Sequence, residues 1–170
     1  PGKKIFPYIQ KNLDDIITVE DEELIVNFLD VVENHKMVVE NSGLLTVAAL
    51  KHLNCKDKRV VSILSGGNMD IITMSSVVQH GLIERGRVFT VSVQLPDRPG
   101  ELVNVANVIA QLKGNVIRLE HNQFVSINRN AAVELKITLE AFGHEHKQQI
   151  VDALKEKGYD PKLENPTSLY

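Results

Sequence analysis

Apolar and polar positions along the chain change period several times, and each change marks a predicted element. Leu24, Ile25, Phe28, Leu29 and Val32 recur at helical spacing, which predicts a helix over 19–34. Thr18 followed by Glu20, Asp21, Glu22 and Glu23 places acidic residues at the positive end of its dipole. Met37-Val38-Val39 is a short extended or buried run. Ser42 is positioned to cap a second helix reaching Leu53. Its Leu44, Leu45, Val47, Ala48, Ala49 and Leu50 are apolar nearly all round, so burial on several sides is expected. Polar residues 54–58 read as a loop and 59–64 (R-V-V-S-I-L) as a short strand ended by Ser65-Gly66-Gly67-Asn68. A third helix is predicted from Asp70 to about His80.

Gly81–Gly86, with two glycines around Glu84 and Arg85, reads as a domain boundary, dividing the chain into 1–85 and 86–170. Beyond it the pattern is strand, helix, strand, strand, helix, strand. Residues 88–95 alternate with period two, and Asp97-Arg98-Pro99-Gly100 is a turn with Pro99 pre-set for a first helical turn. Leu102, Val105, Ala106, Ile109, Ala110 and Leu112 form an apolar stripe, and Gly114 ends that helix. Residues 115–121 and 132–141 alternate as strands around a polar loop at 123–130. A helix over 144–158 carries Ile150, Val151 and Leu154 on one face, and 159–163 is a last strand. The order predicts an α/β chain whose second half is a split βαβ sheet with helices on one face.

Composition narrows the partners. Hydrophobic residues make up 43%, charged residues 24%, and the formal charge is −3, ordinary for a globular protein and unsuited to nucleic acid. The apolar runs at 37–39 and 60–64 are far too short to cross a bilayer. The opening Pro1-Gly2-Lys3-Lys4 leads into an amphipathic segment rather than a signal peptide, and the chain reads as beginning inside something longer. One cysteine, Cys55, cannot form an internal disulfide and reads as a loop thiol, which makes the cytoplasm the expected compartment. His144 and His146 are two apart at a helix start, so no metal site is expected from them and both read as solvated. His121 reads as a strand histidine with its hydrogen bonds satisfied. No Ser/His/Asp order points to a hydrolase.

Ser65-Gly66-Gly67-Asn68, after an apolar run and before a helix, is the strongest local motif. Glycines there allow a backbone to approach a ligand closely, and a serine hydroxyl can donate to a heterocyclic nitrogen without adding charge. The alternative is a tight turn with Asn68 near the helix cap.

Val38-Val39-Glu40-Asn41-Ser42-Gly43, then Ser65-Gly66-Gly67-Asn68-Met69-Asp70, resembles the closing part of the catalytic domain of threonine and serine dehydratases. These are pyridoxal-phosphate (PLP) enzymes with a tryptophan-synthase-β-like fold. The resemblance implies that Ser65 donates to the pyridine nitrogen of PLP, that Gly66, Gly67 and Asn68 shape the same turn, and that Glu40 lies near the ring. Asn41 stands where the family pattern has proline. The family's lysine motif for covalent cofactor attachment, and its run of four glycines for the phosphate, are absent from this sequence. The chain alone is therefore expected to be inactive and to bind no PLP.

The second half resembles an ACT domain, an α+β ferredoxin-like βαββαβ module. The resemblance rests on Leu95-Pro96-Asp97-Arg98-Pro99-Gly100-Glu101-Leu102 and on Gly114-Asn115-Val116. ACT domains pair side by side and hold a small amino acid at the interface. The resemblance therefore implies an effector site of Leu95, Asp97, Pro99, Gly100, Glu101, Leu102, Asn115 and Val116. It also implies isoleucine or valine as effector, and a homo-oligomer formed through ACT pairing and the exposed first half. The expected whole is a threonine ammonia-lyase converting L-threonine to 2-oxobutanoate and ammonia. The alternative is a free-standing ACT-type regulatory module, which has no need of an S-G-G-N turn.

Overall fold

A computed structural model describes residues 2–122, 132–164 and 166; the predicted loop at 123–130 lies outside the described residues. The chain divides into two compact units, Pro1–Val77 and Val78–Tyr170, each described by itself below.

Helix α1 (Phe6–Asn12) opens the first unit, with Pro7 in its first turn and no buried residue. Helix α2 (Asp21–Asp30) begins at Glu20 rather than Thr18. Glu20 and Glu23 form a reciprocal capping box, and Asp21, Glu22 and Glu23 occupy the first turn. The predicted helix over 19–34 is therefore split: α2 is followed by a π-turn at Val31–His35, closed by Lys36 in the left-handed region. Asn27, buried on α2, donates to the Glu23 carbonyl oxygen, and the His52 imidazole lies 2.9 Å from the Glu23 carboxylate. That hydrogen bond holds the Glu23 carboxyl below its ordinary range.

Helix α3 (Asn41–Ala48) starts after Glu40, not Ser42, and tightens into a 3₁₀ turn at Ala49–His52. It packs on α2, burying Leu44 and Ala48 beside Phe28 and Leu24. Its expected burial on several sides is not found, because Leu45 on the opposite side is 45% exposed. Nor does 59–64 form a strand. A strand needs a neighbour for its backbone groups, and the described residues of the first unit supply none. Val60, Val61 and Ile63 stay exposed, while the run is tied sideways to α3: Thr46 donates to the Ile63 carbonyl oxygen and Ser62 to that of Thr46. Helix α4 (Ile71–Glu84) is capped by Asp70, which accepts from the Thr73 N–H and hydroxyl. It runs through Gly81, past the predicted end, and stops at Gly86 with a φ of 63°.

The second unit follows the predicted order: β1 (Val88–Pro96), α5 (Glu101–Gln111), β2 (Asn115–Asn122), β3 (Ala132–Glu140), α6 (His144–Glu156) and β4 (Lys162–Glu164). The strands form one antiparallel sheet in the order β2-β3-β1-β4, and β2 carries a bulge between Val116 and Arg118. Phe89, Val91, Val93 and Leu95 of β1 and Leu135, Ile137 and Leu139 of β3 bury one face. They pack under Val105 and Ile109 of α5 and Ile150, Val151 and Leu154 of α6. The other face is polar. The hydroxyls of Thr90 and Thr138 lie 2.9 Å apart, Ser92 donates to Glu134, and Lys136 pairs with Glu164.

Two details differ from expectation. Pro99 precedes the N-cap of α5, which is Gly100 in the left-handed region, so proline shapes the approach rather than the first turn. At the other end the left-handed residue is Lys113 (φ 63°), not Gly114. Lys113 N–H bonds to Ala110 and Gly114 N–H to Ile109, a complete Schellman motif with lysine where glycine is usual. Lys113→Gly is accordingly expected to stabilise the second unit by about 0.5–1 kcal/mol, read as a higher urea midpoint at unchanged slope.

His144 is exposed, as expected, whereas His146 is half-buried, and both make hydrogen bonds. His144 reaches the Glu84 carbonyl oxygen, and His146 accepts from the Phe142 N–H while facing the Leu112 carbonyl oxygen at 2.7 Å. No helix among the described residues is long and apolar enough to cross a membrane.

Candidate functional site

Two places gather the residues singled out above. The first is the turn at Ser65-Gly66-Gly67-Asn68. It folds against the start of α3, and Glu40 holds it there. The Glu40 N–H donates to the Gly66 carbonyl oxygen (3.2 Å), and its carboxylate accepts from the Asn68 N–H (3.1 Å) and from the Ser42 hydroxyl. Gly66 takes a φ of 78°, and a Cβ there would lie 2.5 Å from the Glu40 carboxylate, so both conformation and space require glycine. Gly43 is tighter still: a Cβ would sit 1.7 Å from the Ser65 carbonyl oxygen. Glu40 and the turn that begins at Ser65 are thus brought together from 25 positions apart in sequence. The Glu40 carboxylate is spent on the turn itself. Ser65 itself is exposed.

The second place is a cleft of about 320 Å³ between the end of β1 and the start of α5. It is lined by Leu95, Pro96, Asp97, Arg98, Pro99, Gly100, Glu101, Leu102 and His121, which includes six of the eight residues expected there. Asn115 and Val116 are absent from it. Asn115 lies opposite Glu140 at the far end of the sheet and donates to that carboxylate at 3.2 Å. The reason is directional: β1 and β2 run parallel with β3 between them, so the start of β2 is remote from the end of β1.

His121 was expected to be a satisfied strand residue, yet it lines the cleft, exposed at the end of β2. Its strand position was readable, but its proximity to Leu95 depends on strand order. Arg98 was in the quoted motif without a role, and it is the cation of the cleft. Gly100 offers no capping side chain, and the N–H groups of Leu102 and Val103 meet no acceptor among the described residues. Free N–H groups, the positive end of the α5 dipole and Arg98 suit a carboxylate. Asp97 suits an ammonium group, and Leu95 and Leu102 an aliphatic chain. No group of three or more metal-ligating side chains occurs among the described residues.

No protein-family model matches the chain. Among solved structures, a Bacteroides thetaiotaomicron protein (TM-score 0.35, 19% identity, 46% of this chain and 49% of that one) and a Galdieria sulphuraria protein (TM-score 0.38, 25% identity, 48% and 50%) are too distant to assign a fold. Sequence relatives are closer. The chain is 35% identical over 161 residues to an L-threonine ammonia-lyase of Geobacter sulfurreducens, covering 94% of this chain and 40% of that protein. It is 30% identical over 164 residues to an L-threonine ammonia-lyase of Thermotoga maritima, covering 96% and 41%. A biosynthetic L-threonine dehydratase of Pasteurella multocida is 26% identical, covering 94% and 31%. By sequence the chain is thus similar along nearly its whole length to threonine ammonia-lyases, also named threonine dehydratases, and spans about two-fifths of the length of the first two relatives.

Proposed function

We propose that this chain is the part of a threonine ammonia-lyase that closes the catalytic domain and then senses an aliphatic amino acid through an ACT domain. The cleft at the end of β1 carries the reading. It combines carboxylate, ammonium and aliphatic partners within one small volume, next to a helix N-terminus left uncapped. The βαββαβ order with strands β2-β3-β1-β4 supports the reading, since a ferredoxin-like module is what the resemblance to ACT domains implies.

In this reading the effector is isoleucine or valine. Its carboxylate meets the Leu102 and Val103 N–H groups and Arg98, its ammonium meets Asp97, and its side chain lies on Leu95 and Leu102. Asn115 and Val116 join the site from a second copy. Strand β2 is a sheet edge with Val116, Ile117 and Leu119 each about 40% exposed, a surface suited to pairing with another strand. Two antiparallel β2 strands centred between Arg118 and Leu119 set Asn115 of one copy opposite Asn122 of the other, beside His121 and the cleft.

For the catalytic half, the residues present fit one side of a PLP ring. Ser65 would donate to the ring nitrogen from a turn fixed by Glu40 and Gly43, and a neutral donor there leaves the ring less electron-withdrawing than a carboxylate would. PLP, when bound in a complete protein, supplies the electron sink for removing the threonine hydroxyl and amine. The remaining contacts of such a site belong to parts of the family outside these 170 residues.

Thermal unfolding of the chain with L-isoleucine, L-valine and a D-isoleucine control tests the effector assignment. Ligand at 100 times its Kd is expected to add about 2.7 kcal/mol of stability. Arg98→Ala is expected to remove most of that gain while leaving the unliganded transition in place. A transition that ignores both branched-chain amino acids overturns the reading.

A further inference from the structure

Glu101 is the first residue of α5 and lines the cleft, but its carboxylate reaches the other way. The Tyr159 hydroxyl, just after α6, lies 3.4 Å from Glu101 Oε2. Tyr159 is partly buried against the core and also lines a separate polar groove of about 340 Å³ along α5, with Asn104, Asn107, Val108, Gln111 and Lys157. The position of Tyr159 is itself fixed, because its N–H bonds to the Leu154 carbonyl oxygen and the Gly158 N–H to that of Lys155, closing α6.

A carboxylate at the first position of a helix has another choice. It can fold back onto the free N–H groups of its own first turn, where the dipole attracts it. In α5 those are the Leu102 and Val103 N–H groups, the ones a ligand carboxylate needs. Gly100 cannot compete for them, since it has no side chain. Glu101 is the acidic residue of that first turn.

We infer that Tyr159 is a positioning residue that holds the Glu101 carboxylate away from the α5 N-terminus and so keeps the anion-binding end of the cleft open. Resting on the effector reading above, this assigns the bond a role in ligand affinity. Losing the hydroxyl lets Glu101 cap its own helix, and a ligand carboxylate must then displace it. The ring itself packs on the core, so phenylalanine at this position keeps the fold.

The test is calorimetric titration of L-isoleucine into the whole chain and into Tyr159→Phe, Glu101→Gln and the double variant. Tyr159→Phe is expected to weaken binding about twelve-fold, the equivalent of one hydrogen bond to a charged group at the low end. The double variant is expected to recover wild-type affinity, because a neutral amide is not drawn to the helix dipole. A purely structural tyrosine would not be rescued by changing Glu101. A Tyr159→Phe protein with wild-type affinity, or a double variant as weak as Tyr159→Phe, overturns the inference.

A second readout does not depend on a ligand. The phenol of Tyr159 is held above its ordinary range by burial and then by the Glu101 carboxylate. In a Tyr8→Phe/Tyr170→Phe background, ultraviolet titration follows Tyr159 alone, and Glu101→Gln is expected to lower its midpoint. If wild-type chain binds no branched-chain amino acid, the effector reading fails. The phenol titration then decides the positioning, and an unmoved midpoint refutes it.

Discussion

Gly43→Ala is expected to cost roughly 3 kcal/mol or more, the upper end of what overpacking does. The added methyl would lie 1.7 Å from the Ser65 carbonyl oxygen and 2.7 Å from Val39 Cγ1. The first obstacle is backbone, which cannot rotate aside as a side-chain tip can. Either α3 moves off the turn, or Ser65–Asn68 swings away from Glu40. Both outcomes displace the Ser65 hydroxyl from the position proposed for the cofactor ring. Gly67→Ala is the matched control: the nearest atom to its Cβ is the Val38 carbonyl oxygen at 3.7 Å, an ordinary contact. Hydrogen exchange over residues 38–70 and urea unfolding should separate the two variants, with Gly67→Ala close to wild type. If both variants unfold alike, the close approach of α3 and the turn is wrong.

Ile137→Ala is expected to be the most damaging single truncation in the second unit. Ile137 is 1% exposed at the centre of β3, opposite Val91 on one side and Leu119 on the other. It is enclosed by two neighbouring strands and two helices, so little can collapse into the space left behind. A loss of about 4 kcal/mol is expected from transfer and cavity terms together, equivalent to roughly 15–30 °C for a unit of this size. Calorimetry resolves this readily. Ile117→Ala, on the bulge of the edge strand and 44% exposed, should change stability by less than about 1 kcal/mol. Comparable losses at both positions would mean that the edge strand is buried in the folded protein.

The second unit was legible to within a few residues at nearly every boundary. Its strands alternate cleanly, its helices carry one apolar stripe each, and the elements find their partners within 80 or so residues. The one clear shortfall is β4, three residues long instead of five, because the chain after α6 is first spent on closing that helix through Gly158 and Tyr159. The first unit was read less well. Residues 59–64 have the composition of a strand but no partner, and α3 has the composition of a buried helix but one side uncovered. Composition records the surroundings a segment is adapted to, and in the first unit Leu45, Val61 and Ile63 stay exposed. Helix α1, with Phe6 and Tyr8 exposed and no buried residue, belongs to the same class.

The candidate sites divide in the same manner. Residues adjacent in sequence, such as Ser65–Asn68 and Leu95–Leu102, announce their turns through glycine, proline and the switch from period two to helical spacing. The sequence by itself thus determined the order of elements, the core faces and the two turns on which the sites are built. Their long-range completion was decided by tertiary structure alone. Glu40 reaches the serine turn because α3 packs against it, and His121 enters the cleft while Asn115 leaves it because β1 and β2 run parallel. Tyr159 meets Glu101 because α6 ends beside the start of α5. Each of these pairings depends on which elements become neighbours and in which direction they run, and local propensity is indifferent to both.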